Sequence, residues 1–353
     1  MRSLKIEILI GIFICATLTS VSGQQGTVVT EHINSIELSE NLVGIDLNRT
    51  VKVYLPPGYA TSGSSYPVLY YCHNLNFNAE QLFADGNLVK LLERGFANGV
   101  VKEFILVAAT YGTPTSVSWY ENSPTTGRWI DFTVKELVPF IDNRFRTIRN
   151  RDSRAVAGDF VGGRGALLFA MLYPDLFSVT YALHPVATGV GSTPMAWKTD
   201  WNKIHNAKEL KELDGVDFAR PFVSISQAFL PNPNRPPFYC DFMVEMENGK
   251  PVLNIQNSEK LKTGFLLDHM LGTRAENLRK MRAIGFDWGR YDPNQDHVVS
   301  NQSFTRKLDE LGIEHQAEEY RGDPWSKNWT ENGRFYTRLL PFIAKNMVFE
   351  TNQ

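Results

Sequence analysis

Cysteine is scarce in this chain of 353 residues, which holds only Cys15, Cys72 and Cys240. So small a set excludes a disulfide-stapled scaffold, and no Cys/His cluster has zinc spacing. Cys72 and Cys240 stay open between one disulfide and two buried thiols. A basic surplus is missing too. The formal net charge is -2, so nothing is left over to neutralise phosphates, which argues against a nucleic-acid partner. Long apolar runs are also absent, since a bilayer helix needs about 20 such residues. The run from Ile8 to Leu18 is too short, and it lies between Arg2 and Lys5 on one side and Ser20, Ser22 and Gly23 on the other. This is the order of a secretory signal peptide over 1–23, so a secreted, periplasmic or extracellular address is expected, with no stable membrane insertion after cleavage. Glu7 beside the run leaves an uncleaved anchor as the alternative.

Repeats, low-complexity tracts and linkers are absent as well, and 24–353 is expected to be a single α/β domain. Val51 to Leu55 alternates and ends in the turn signal Pro56-Pro57-Gly58-Tyr59. Pro67 to Cys72 and Phe104 to Ala109 are unbroken apolar runs, as buried parallel strands should be. Between Ile130 and Phe145 the spacing is helical, although Pro139 counts against a regular helix. A less regular insertion is expected over about 186–279, with some helix and one strand from Pro221 to Ser226. Order returns with strands at Ala283–Trp288 and His315–Tyr320, a helix between them, and a last helix from Phe335 to Met347.

The most informative stretch runs from Arg154 to Leu168 and reads as apolar strand, glycine-bracketed turn, then helix. It is the G-x-S-x-G nucleophile elbow of α/β-hydrolases with every glycine kept and Phe160 in place of the serine. The elbow strains its central residue, and only minimal side chains fit around it. Phenylalanine has no atom that can attack a carbonyl.

On these residues the chain resembles the esterase family of α/β-hydrolases, which includes enterochelin, feruloyl and acetyl-xylan esterases and mycolyltransferase-like proteins. Further pieces carry the likeness: Val53 to Tyr59, Tyr66 to Tyr70, Thr126 to Trp129, Lys135 to Ile141, Arg144 to Thr147, Phe229 to Pro233 and Pro236 to Tyr239. The resemblance implies a doubly wound, mostly parallel sheet and a serine, histidine and acid acting together. Carried over by position, the serine falls on Phe160, the acid on Asp292 and the histidine on Asp323 in Gly322-Asp323-Pro324-Trp325. The oxyanion loop falls on His73-Asn74, where the family has His-Gly. One member of three survives, so a pseudoenzyme is expected. An active ester hydrolase or acyltransferase using displaced residues is the alternative.

Each neighbour also has a plainer reading. Asp159 is a conceivable nucleophile, but one step along the turn points its side chain elsewhere; Val161 belongs to the same region. Cys72 is best read as a small buried hydrophobe. His297 follows Asp292 and could be a stand-in base, but a solvent-facing or capping histidine fits better with no nucleophile to activate. His184 reads as structural. His73 and Asn74 are expected to line a pocket, and Trp119, Tyr120 and Trp325 offer either stacking faces or core packing. With the histidine lost, Asp292 and Asp323 should face each other, with Arg290, Arg321 or Arg164 near enough in sequence to supply charge. No cofactor or metal is expected; a small-molecule or carbohydrate ligand is.

Overall fold

The computed structural model describes residues 25–350 except 76, 192–197 and 326–327, so the expected signal peptide lies outside the described residues. Eight strands form the central sheet. They are β1 (Thr27–Asn34), β2 (Asn48–Leu55), β3 (Val68–Cys72), β4 (Ile105–Ala109), β5 (Arg154–Asp159), β6 (Val179–Leu183), β7 (Ala283–Gly289) and β8 (Gln316–Tyr320). In these labels the spatial order is β1-β2-β4-β3-β5-β6-β7-β8. The β1–β2 and β2–β4 pairs are antiparallel and every other pair is parallel. This is the α/β-hydrolase sheet.

Every residue of β3, β4, β5 and β6 is buried, because helices cover both faces. Alternate side chains enter opposite layers. Val68, Tyr70 and Cys72 join one apolar cluster while Leu69 and Tyr71 join the other. The edge strand β1 (TVVTEHIN) is mostly exposed, and its polar residues hide it from a search for apolar runs. Among the described residues no helix is long and apolar enough to cross a membrane.

Two of the proline-bearing helices are preceded by a π turn. Phe132–Leu137 is π-helical just before helix α1 (Val138–Arg144) with Pro139 at its start, and Phe335–Leu339 plays the same part before Pro341. A proline lacks the N–H donor and its ring presses on the carbonyl one turn back; the wider turn gives that carbonyl room. Pro139 therefore does not break the helix expected there.

The expected strand at Pro221–Ser226 is instead helical, within Ala219–Phe229. Pro221 stands in the first turn, where its missing N–H costs no helical bond. Phe222 to Ser226 are all buried, and Val223, Ser224, Ile225 and Ser226 alternate apolar and polar, which mimics a strand. Three Asn-X-Ser/Thr sequons occur, at Asn48-Arg49-Thr50, Asn301-Gln302-Ser303 and Asn328-Trp329-Thr330; Asn301 and Asn328 are buried and Asn48 is exposed. Cys72 and Cys240 are both buried free thiols.

Parallel pairing brings the carboxyl ends of five strands level. Cys72 pairs with Gly158, Asp159 with Leu183, Leu183 with Asp287, and Gly289 with Tyr320. The loops that follow these residues meet at one edge, where open α/β sheets place their sites.

Candidate functional site

At that edge the elbow is intact. Phe160 sits between β5 and helix α2 (Val161–Leu172) at φ 55° and ψ -111°, a conformation that side chains rarely adopt. Backbone packing dictates the glycines: a Cβ on Gly158 would lie 2.4 Å from the Gly162 carbonyl oxygen, and one on Gly162 only 1.9 Å from that of Cys72. The Phe160 N–H donates to the Leu183 carbonyl, and its own carbonyl accepts from Arg164 N–H as the first helical bond. The amides of Val161, Gly162 and Gly163 therefore have no acceptor within the helix and form its positive end.

Asp292 follows β7 and is 4% exposed. Its Oδ2 meets His184 Nε2 at 2.6 Å and His297 Nδ1 at 2.7 Å, while Oδ1 accepts the Asn294 N–H at 2.7 Å. Burial pushes this carboxyl up, but the hydrogen bonds from both histidines and from the Asn294 backbone outweigh it and hold it well below the usual range. A raised value from repulsion by Asp323 is not what the surroundings produce. The Asp323 side chain accepts the Trp325 N–H at 2.9 Å within its own loop.

Nor do the neighbouring arginines serve Asp292. Arg290 pairs with Glu319, Arg321 donates to the Tyr291 hydroxyl, and Arg164 pairs with Glu121.

The histidines are corrected most. His297, expected to be solvent-facing or a cap, is a half-buried partner of Asp292. It stands at the start of the helix α3 (Gln295–Glu310), whose first turn folds it back on the carboxylate. The Asn294 amide reaches its Nε2 at 2.9 Å, and that amide's orientation is set by Lys198 Nζ on Asn294 Oδ1 at 3.1 Å. His297 therefore carries its proton on Nδ1 and a lone pair on Nε2. His184 is structural, as expected: its Nδ1 accepts the Gly289 N–H at 2.9 Å and its Nε2 donates to Asp292. Burial holds His184 below the ordinary histidine value, so it stays neutral.

Asp292, His184 and His297 have the composition of a metal site, with ligand atoms within 4.8 Å of one another. The hydrogen-bond directions do not suit one. With Nδ1 accepting from a backbone amide, His184 must keep its proton on Nε2, the only nitrogen that faces the group.

Phe160 lies among these rings. It stacks parallel to His184 at 6.3 Å and 9°, meets His297 edge-on at 5.0 Å, and leans on Trp325 at 4.8 Å. Trp325 is 46% exposed, whereas Trp119 and Tyr120 are buried and tied to Ser224 and the His73 carbonyl. Of the three candidate stacking rings, only Trp325 has a free face.

Beneath the elbow His73 and Asn74 are buried. His73 accepts the Tyr111 N–H on Nε2 and donates from Nδ1 to the Asn74 carbonyl, and burial lowers it to about 4. Asp159 accepts from the Tyr71 hydroxyl at 3.0 Å and the Asn74 amide at 2.7 Å. Burial still raises it to about 6 despite those bonds. A raised carboxyl favours the folded state while protonated. That contribution is complete below about pH 4, the unfolded value, and lost as pH rises through about 6.

Asp159→Asn is therefore expected to flatten the pH dependence of urea stability between about pH 4 and about pH 7, by on the order of 2 kcal/mol. Asp287, also raised to about 6 by burial, would supply the slope that remains. An unchanged slope in the variant would mean that Asp159 is not what titrates.

Among curated proteins, an esterase of Mycobacterium tuberculosis is 35% identical over 138 residues, 38% of this chain and 28% of the relative. An endo-1,4-beta-xylanase/feruloyl esterase of Xylanibacter ruminicola is 31% identical over 134 residues, 36% of this chain and 18% of the relative. The match thus spans less than a third of either relative. Among solved structures, a ferulic acid esterase superposes with a TM-score of 0.63 at 20% identity, covering 92% of this chain and 100% of the other. An S-formylglutathione hydrolase from Agrobacterium tumefaciens gives 0.59 at 13%, covering 92% and 97%. At these identities the superpositions speak for the fold alone. The profile described as "Putative esterase" matches residues 44–333, most of the chain, and the chain belongs to that esterase family of α/β-hydrolases.

Proposed function

We propose that this chain is a secreted member of the esterase family that has lost ester hydrolysis and keeps the cleft for binding. The observation that carries the reading is Phe160 at the elbow tip, in the strained conformation an attacking serine would need but with no oxygen to attack. Its ring also takes up the space in which an acyl group would sit beside the first-turn amides of α2. A ligand with an apolar, flat face, such as a sugar ring or a phenolic ester, suits the surface made by Phe160 and the exposed Trp325. Names among the relatives and structural neighbours, feruloyl and ferulic acid esterases, point to the same ligand class.

The mature chain is expected to turn over neither short-chain chromogenic esters nor feruloyl esters above background. A fluorophosphonate probe should leave it unlabelled, as read by intact-protein mass spectrometry. Stoichiometric labelling at any residue would overturn the reading and identify a displaced nucleophile.

A further inference from the structure

We propose that Asp292 and His297 form a latent acid–base pair aimed at the elbow tip, so that a single change, Phe160→Ser, converts this chain into a working serine hydrolase. The inference rests on the reading of the chain as inactive. It goes beyond it by assigning the base to a residue outside the position that family resemblance indicates.

Three requirements of the chemistry are met apart from the nucleophile. The first is an oriented imidazole. His297 donates from Nδ1 to a buried carboxylate, which leaves the Nε2 lone pair to take a proton. The second is proximity. The His297 ring is 5.0 Å from that of Phe160 and nearly perpendicular to it, and a serine oxygen would stand close to the first ring carbon of Phe160. The third is a set of donors for the oxyanion, supplied by the first-turn amides of α2 beside the tip.

The Asn74 side chain does not block them, since its amide turns down onto Asp159. His184 is a positioning residue. Locked by the Gly289 N–H, it presents a fixed donor to the same Asp292 oxygen and holds the carboxylate in place for His297. The Asn294 amide occupies the His297 lone pair in the present chain, and it is the donor that a serine hydroxyl would displace.

In the Phe160→Ser protein the serine oxygen would attack the ester carbonyl while its proton passes to His297 Nε2. The imidazolium would then return that proton to the leaving alcohol. Water would next attack the acyl-enzyme, again giving its proton to Nε2, and the serine hydroxyl would be restored. No co-reactant besides ester and water is needed.

The test compares the parent with Phe160→Ser, Phe160→Ser/His297→Gln and Phe160→Cys, each checked for folding by circular dichroism. Phe160→Ser should hydrolyse a chromogenic acetyl ester at least on the order of 10²-fold above the parent and bind fluorophosphonate at residue 160. Adding His297→Gln should remove most of that gain in kcat, with little change in KM, and erase the acid limb of the pH profile. The cysteine variant covers the case in which the serine variant does not fold. Its thiol should react with iodoacetamide on the order of 10-fold faster than in Phe160→Cys/His297→Gln.

A folded Phe160→Ser protein that stays at the parent's background would overturn the proposal. So would equal rates with and without His297. Labelling of the parent itself would instead overturn the inactive reading, which keeps the two failures distinct.

Discussion

Gly162→Ala is expected to cost at least about 3 kcal/mol of stability, near the upper end of what overpacking exacts. The added methyl would lie 1.9 Å from the Cys72 carbonyl oxygen, 2.5 Å from its carbon and 2.7 Å from the His73 carbonyl oxygen. All three are backbone atoms. Cys72 is the last residue of β3 and is paired with Gly158 of β5, so the carbonyl cannot swing away without breaking the sheet where it supports the elbow. The helix must move instead. Every residue from Val161 to Met171 is buried, so a displacement of α2 disturbs both β5 and the layer beneath it.

With total stabilities of about 5–15 kcal/mol, such a loss removes a large share of the margin. Gly272 provides the control. It lies in the helix Leu271–Arg279 with nothing within 4 Å of an added Cβ and without a positive φ. Gly272→Ala is expected to be neutral or to stabilise by about 0.5–1 kcal/mol. Urea denaturation measures both. If Gly162→Ala melts within about 1 kcal/mol of the parent, the close approach of helix and strand is not the constraint described here.

The same crowding explains why the elbow was legible in the sequence. Gly158 and Gly162 admit no Cβ because of the backbone around them, and Gly163 is tight with its nearest neighbour at 3.2 Å, whatever occupies position 160. The buried strands were legible for a related reason: helices on both faces leave β3 and β4 no polar position, so they appear as unbroken apolar runs.

The segment Ala219–Phe229 shows where that signal fails: Arg220, Ser224 and Gln227 fall at helical spacing, but the short window Val223 to Ser226 alternates apolar and polar and resembles a strand. The site was legible only in part. Asp292 was found through its place after β7. His297 was named as a conceivable base and set aside as solvent-facing, because its meeting with Asp292 depends on a short turn followed by one turn of helix, which no residue pattern announces. Charge proximity misled too. Arg164, four residues past the elbow tip, turns instead to Glu121 and to the carbonyls of Trp119, Gly264 and Phe265.

Arg164→Leu should destabilise the protein by about 3–5 kcal/mol, the usual cost of removing one partner from a buried ion pair. Arg164 is 0% exposed. Its Nη2 donates to Glu121 at 2.9 Å and to the Gly264 carbonyl at 3.1 Å, its Nε to the Phe265 carbonyl at 2.9 Å, and its Nη1 to the Trp119 carbonyl at 3.2 Å. The guanidinium therefore ties the elbow helix to the loop carrying Trp119 and Tyr120 and to the end of the helix Ile255–Phe265.

Leucine would abandon three carbonyls and leave Glu121 without its counter-charge. Burial already raises the Glu121 carboxyl, against the pull of Arg164. In the variant the Glu121 carboxyl should rise further, so the loss ought to be smaller at low pH and larger as pH rises. Adding Glu121→Leu should recover part of the deficit, since an apolar pair leaves no buried charge, but the three carbonyls would still lack donors. Thermal and urea denaturation of the two single variants and the double variant form the cycle. If Arg164→Leu alone costs less than about 1 kcal/mol, water or another donor must be reaching those carbonyls, and the guanidinium is not the tie that holds the elbow helix to its neighbours.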